Sequence, residues 1–170
     1  MRRAWLLVSL LAVLLGACGY HLSGQGPARF AGVQRLAVEL LENRTTEPLI
    51  EVYLTNALRD EFARRPDYEL VDTGDLADAV VQGRVHSYQE GAVAYSPTDA
   101  ITEYRIALLA DVQLMRADGQ EILWQGQVSW QEEYRVNPDR AAQDVAERQA
   151  QQELCRRLAS EIFNRIVDDF

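Results

Sequence analysis

Tyr104-Arg105-Ile106-Ala107-Leu108-Leu109-Ala110-Asp111-Val112-Gln113-Leu114 is the stretch on which the fold turns. Tyr104, Ile106, Leu108, Ala110, Val112 and Leu114 alternate without a break, the period of a strand with one buried face. Asp118-Gly119 follows, a pair suited to the tight turn of a hairpin. Beyond it Ile122, Trp124, Gly126, Val128 and Trp130 share one face, and Gln125, Gln127, Ser129 and Gln131 share the other. The second strand is therefore apolar on one side and amide-rich on the opposite side. Trp124 and Trp130 point the same way as Val128 and are expected to pack beneath a helix.

The sequence supplies that helix at once. Pro138-Asp139 opens it, with Asp139 as the expected N-cap. Ala142, Val145, Ala146 and Ala150 lead into a ladder of Leu154, Leu158, Ile162 and Ile166. At 1.5 Å per residue, positions 139 to 167 span about 43 Å. A strand of about 13 residues covers a similar distance at roughly 3.3 Å each. One helix can thus lie along the whole apolar face of the hairpin.

Working back from Tyr104, Gly91, Ser96, Pro97, Thr98 and Asp99 mark a long loop. Before it, Val81, Gly83 and Val85 share one face of a strand from Ala79 to Tyr88. A first strand is expected from Val33 to Leu41, with Leu36, Val38 and Leu40 on one face. Glu42-Asn43-Arg44-Thr45 makes a turn. Thr46 is the expected cap of a helix that takes Pro48 in its first turn and buries Ile50, Tyr53, Leu54, Ala57, Leu58 and Phe62. Pro66 stops that helix, and Tyr68 to Val71 forms a short strand closed by Asp72-Thr73-Gly74-Asp75. Leu76 to Ala79 has room for one helical turn. Strand, helix and strand in that order predict a right-handed crossover and a parallel pair. The fold class is α+β: a two-layer sandwich with a mixed, mostly antiparallel sheet of four to five strands. Two helices pack on one face, in the order β-α-β-β-β-β-α.

The amino end carries a different message. Arg2 and Arg3 precede an apolar run from Ala4 to Leu15, then Gly16, Ala17 and Cys18. A positive start and a short apolar core make a secretory signal. About 12 apolar residues are too few to span a bilayer, which needs roughly 20. Leu15-Gly16-Ala17-Cys18 resembles the lipobox of bacterial lipoproteins. That resemblance implies cleavage after Ala17, diacylglycerol on the Cys18 thiol and a further acyl chain on the new amino terminus. The alternative is an ordinary signal peptide with a coincidental cysteine. Residues 1–17 then form the signal, 18–32 a lipidated tether rich in glycine, and 33–170 a single domain. Gly19 after the cysteine favours the outer membrane, where an aspartate would favour retention at the inner one.

Loss of the first 17 residues, with Arg2 and Arg3, takes the formal charge from −9 to −11. Such acidity argues against a nucleic-acid partner, since neutralising phosphates needs a basic field. All 17 basic residues are arginine, so lysine chemistry is excluded. His21 and His86, the two histidines, have no cysteine or histidine at ligand spacing, and no metal or other cofactor is expected. Asp72-Thr73-Gly74 has the letters of an aspartic-protease turn, but no second copy supplies the carboxylate pair. Without Cys18, Cys155 stands alone in a helical pattern and reads as a small core residue. No reaction centre emerges, so binding or structural work is expected rather than enzymatic turnover.

Several stretches taken in order carry a family resemblance. They are Cys18-Gly19-Tyr20-His21-Leu22, the Asn43-Arg44-Thr45-Thr46 turn, the helix from Leu49 to Phe62, Ala77-Asp78-Ala79-Val80-Val81-Gln82-Gly83 entering a strand, Tyr104, and a closing strand and helix. Together they resemble the LptE family of lipopolysaccharide-assembly lipoproteins. The resemblance implies a mixed sheet covered on one face by two helices. It also implies a role as plug and assembly partner inside the LptD outer-membrane β-barrel, helping lipopolysaccharide reach the cell surface. A barrel lumen is polar, and the stripe of Gln125, Gln127, Ser129 and Gln131 fits such a wall, although water would accept it equally. Lipid A phosphates would call for exposed arginines. Arg105 and Arg135, near the ends of the long strands, are the candidates, and each reads equally as a solvated strand-end arginine. The other expectation is a periplasm-facing outer-membrane lipoprotein that serves another envelope machine as an adaptor.

Overall fold

The computed structural model describes residues 32–72 and 74–168. In chain order its elements are β1 (Arg35–Val38), β2 (Glu42–Asn43), α1 (Ile50–Ala63), β3 (Glu69–Leu70) and a 3-10 turn (Gly74–Leu76). Then follow β4 (Ala79–Tyr95), β5 (Ile101–Arg116), β6 (Ile122–Arg135) and α2 (Arg140–Asp168). The signal residues, Ala17, Cys18, His21 and Thr73 lie outside the described residues.

The alternation in β4, β5 and β6 builds the sheet and decides its faces. Their antiparallel ladders run from Ala79↔Arg116 and from Glu103↔Arg135, and Gly119, at φ 71°, turns the β5–β6 hairpin. β1 joins β4 and β3 in parallel through the α1 crossover, as strand, helix and strand predict. The strand order is β3-β1-β4-β5-β6, with β2 also pairing β4. The architecture is α+β, an open mixed sheet with two helices.

Both helices lie on the same face. Leu36, Val38, Val81, Val85, Ile106, Leu108, Ala110, Leu114, Trp124 and Val128 rise from the sheet. They meet Ile50, Leu54, Leu58 and Phe62 of α1 and Leu154, Leu158, Ile162 and Ile166 of α2. Each such side chain contributes about 1.5–3 kcal/mol on leaving water. Phe62 seats edge-on against Phe163 at 5.2 Å and joins the two helices. Gly126 is required here, because the Trp124 indole lies so close that an added Cβ would sit 2.7 Å from it. Cys155 is fully buried, and desolvation pushes its thiol up to about 12. Asp139 caps α2 by accepting the Ala142 N–H at 2.8 Å.

Toward the far end of this face the aliphatic core gives way to tyrosines. Tyr104 and Tyr134 stack at 5.7 Å, and the Tyr134 hydroxyl donates to Glu90. Gln151, buried on α2, donates to Glu47 at 2.8 Å and to the Tyr88 hydroxyl at 3.2 Å. One amide thereby ties α2 to β4 and to the turn before α1. Burial, then the neighbouring Glu90, Glu47 and Asp144, raises the Glu147 carboxyl above its ordinary value.

Five local expectations fail, each for a physical reason. Leu40 is 62% exposed and Leu41 is buried instead. Between Val38↔Val81 and Glu42↔Arg84 the first strand region spends one residue more than β4 does, and that extra residue inverts the faces. The same happens in β6. Met115 pairs Ile122 while Leu114 pairs Trp124, so Ile122 turns outward and Leu123 inward.

Trp124 is buried as expected, but Trp130 is 38% exposed and does not pack beneath the helix. It shares a face with Leu108, yet among the described residues β6 is the edge strand, with no neighbouring strand to close over its outer flank. Thr46 does not cap α1. Leu49 takes that position at φ 64° without a side-chain bond. The hydroxyl of Thr45 is occupied by Asn43 and the Glu47 N–H, and Asn43 also reaches Glu47 and Glu51. The turn is thus organised by Asn43, and Pro48 precedes the helix rather than entering it. Lastly, the expected long loop after Tyr88 is mostly strand. β4 continues to Tyr95, and only 96–100 turns, closed by the Ser96 N–H donating to the Ala100 carbonyl.

Candidate functional site

The face of the sheet opposite the helices carries the chain's polar array. Register places its side chains in rows across β4, β5 and β6. Gln82, Gln113 and Gln125 form one row, then Arg84, Asp111 and Gln127, then Ser87, Leu109 and Ser129, then Gln89, Ala107 and Gln131. Beyond these come Arg105 with Glu133 and Glu103 with Arg135. The stripe expected from the sequence is therefore real as geometry: Gln125, Gln127, Ser129 and Gln131 all stand on this open face. It is also only one of three columns.

Hydrogen bonds link the strands across the array. Gln127 donates to Asp111 at 2.8 Å, and Gln113 donates to Gln82 at 3.4 Å. Arg84 and His86 both approach the same Asp111, at 3.8 and 3.9 Å. Around these groups lies a depression of ≈ 820 Å³, extended by Glu39, Leu40, Glu42 and Arg44. Leu40, turned outward by the extra residue after β1, thus becomes its apolar rim. Leu109 and Ala107 keep the middle of the face small and partly apolar between two serines and two glutamines. Such a surface offers donors and acceptors at strand spacing, about 4.8 Å apart. Among the described residues, no hydroxyl on it is hydrogen-bonded to a base.

Arg105 and Arg135 are brought together at one end, each beside a carboxylate. Arg105 donates to Glu133 at 2.9 and 2.6 Å, so its charge is shared. Arg135 is 89% exposed and approaches Glu103 at 3.5 Å. Gln82, Arg84, Asp111 and Gln113 were not singled out from sequence. The signal existed in the polar positions between the apolar ones of β4 and β5, but joining them to the β6 stripe requires the register. At the opposite end, Asp78 anchors the sheet corner. The Arg35 guanidinium at 2.8 Å, with the Arg35 and Gln34 N–H groups, holds its carboxyl well below the usual carboxylate range.

Solved structures share this architecture. The rare lipoprotein B of Shewanella oneidensis superposes with a TM-score of 0.53 at 16% identity, covering 80% of this chain and 92% of that one. The minor lipoprotein of Acinetobacter baumannii gives 0.52 at 15%, covering 81% and 94%. The PelC dodecamer of Paraburkholderia phytofirmans gives 0.51 at 12%, covering 84% and 92%. At such identities the likeness is one of fold. No curated protein matches the chain. Residues 33–166, which hold the sheet and nearly all of both helices, match the LptE family of lipopolysaccharide assembly, and the chain belongs to that family.

Proposed function

We propose that the chain is an outer-membrane lipoprotein, anchored by acyl groups on Cys18, that works as plug and assembly partner of an LptD-type β-barrel. In this reading it takes part in passing lipopolysaccharide to the surface, without catalytic turnover. Residues 1–17 are removed after Ala17, 18–32 tether the body to the membrane, and 33–170 form the inserted domain. Membership of a lipopolysaccharide-assembly family supports the general role. One observation carries the finer one. The apolar side of the sheet is spent on the two helices, while across β4, β5 and β6 its other side presents amides, hydroxyls and paired charges, covered among the described residues only at the β1 corner, where Ala77 packs on Ala37 and Val80. A barrel lumen is a polar wall of the same kind.

For the phosphates of lipopolysaccharide, Arg135 is the better of the two arginines. Arg105 is already committed to Glu133, whereas the Arg135 guanidinium stands in solvent. The adaptor reading draws on the PelC likeness, since a protein with this fold assembles there as a dodecamer. Copurification separates the two. Mature lipidated protein solubilised from envelopes should carry a large barrel protein, and Gln125→Glu with Gln127→Glu should weaken that recovery while the domain stays folded. The second glutamate would stand opposite Asp111 and repel it. Unchanged recovery would move the interface off this face, and a different envelope partner would favour the adaptor.

A further inference from the structure

Leu40 and Leu41 are identical neighbours with opposite surroundings: one is 62% exposed on the open face and the other 2% exposed in the core. Register decides between them. The Glu39 N–H donates to the Val81 carbonyl and the Arg44 N–H to the Val85 carbonyl, each at 3.0 Å, so five steps of this region are matched to four of β4. The same extra residue can be taken up one step later, after Leu41. The Leu41 N–H then turns to the Gly83 carbonyl and Leu40 returns to the core, with β2 unchanged. Each arrangement buries one leucine and exposes one, so hydrophobic transfer alone does not separate them.

The groups that do separate them stand on α1. With the extra residue before it, the Leu41 N–H turns away from β4, and the Thr55 hydroxyl accepts it at 3.1 Å while donating to the Glu51 carbonyl at 2.6 Å. Thr55 is fully buried, where an amide left without an acceptor is costly. On the other side of the extra residue, Glu69 and Val71 take the Gln34 and Leu36 carbonyls, but β3 ends before it reaches Val38. Arg59 takes the Val38 carbonyl with its fork, Nε at 3.2 Å and Nη2 at 2.8 Å. Thr55 and Arg59, four residues apart on one helix face, thus hold both ends of the inserted step. That step shapes the open face, because Glu39, Leu40, Glu42 and Arg44 form one wall of the ≈ 820 Å³ depression.

We propose that residues 39–41 are a two-register element, and that Thr55 and Arg59 are positioning residues selecting the register with Leu40 on the partner-facing side. The proposal rests on the reading that the open face meets the barrel. The helix layer and the open face are then coupled through the sheet. A displacement of α1 that releases Thr55 and Arg59 exchanges the two leucines and withdraws Leu40 from the wall. A partner seated against Leu40 holds α1 in place by the same linkage.

Thiol labelling of the full-length lipidated chain reads the register. Leu40→Cys and Leu41→Cys are labelled separately with a maleimide, and the unsubstituted chain sets the background from Cys18 and Cys155. Leu40→Cys should react fast and Leu41→Cys slowly. Adding Thr55→Val keeps the shape and removes the acceptor, and should lower the ratio of the two rates about tenfold. Adding Thr55→Ser keeps the hydroxyl and should leave the ratio at its parent value. Arg59→Met, at an exposed position, should move the ratio the same way as Thr55→Val and decides the matter where that variant folds poorly. Solubilised from envelopes, Thr55→Val should carry less barrel protein than Thr55→Ser. A ratio unchanged by Thr55→Val and Arg59→Met would overturn the proposal. So would fast labelling at both positions, which marks loosening rather than exchange, or an exchanged ratio with full barrel recovery. A parent that carries no barrel would count against the plug reading alone, because labelling decides the register without it.

Discussion

Leu108 and Leu109 are neighbours on one strand and live in different solvents. Leu108 is 1% exposed under the helices, while Leu109 stands half-buried on the open face between Ser87 and Ser129. The same division runs through β4 and β6. One side of the sheet is closed by aliphatic packing, and the other is cross-linked by amides and ion pairs. Burial dictates residue type on the first side, whereas the second is free to serve a partner.

The largest test of this division is Trp124→Ala, which should cost about 3–5 kcal/mol in denaturant titration. A parent-like midpoint would mean that the β6 faces are reversed. Next comes the neighbouring pair. Leu108→Ala should cost about 2–5 kcal/mol, and Leu109→Ala should stay near 1 kcal/mol or below. Equal losses would erase the distinction between the faces. At the tyrosine end, Gln151→Leu leaves Glu47 and the Tyr88 hydroxyl without their shared donor. A loss of about 1–3 kcal/mol is expected there.

The Arg35–Asp78 corner sharpens the comparison through pH. Because the Asp78 carboxyl is held low in the folded chain, its contribution is complete above the ordinary aspartate pKa, roughly 3.9. It is lost as pH falls below that value toward the folded pKa. Acid titration of stability should therefore be steeper in the parent than in Asp78→Asn, and identical slopes would show that the pair contributes nothing. The smallest effect belongs to Gln113→Ala on the open face, where a shift within about 0.5 kcal/mol is expected. A larger loss would make that array part of the fold's own support.

Much of this division was legible in the residues. The unbroken alternation from Tyr104 to Leu114 fixes the faces of β5, and the Leu154, Leu158, Ile162, Ile166 ladder announces the covering helix. Inserted residues were not legible. The outward turn of Leu40 and of Ile122 depends on one extra residue in the ladder, which no side chain advertises. The far end of β4, up to Tyr95, and the first residues of β5, before Tyr104, read as loop because Gly91, Ala92 and Ala94 carry no apolar alternation, and it is the pairing of the two strands that extends them. For the candidate site, Gln125, Gln127, Ser129 and Gln131 could be read from one strand. Their continuation into Asp111, Gln113 and Gln82 required three strands to be set in register.

The contact between Gln151 and Glu47 closes a separation of 104 residues. It marks a constraint on the order in which the chain can mature. β5 is made before α2, and until α2 arrives the even-numbered side chains of β5 lack the helix that covers them. Contacts this distant in sequence slow folding, because the loop must close before the packing rewards it. A chain threaded outward from its amino end therefore carries an open apolar sheet until its final helix is free to dock. That interval, rather than the finished domain, is when it most needs to be held by something else.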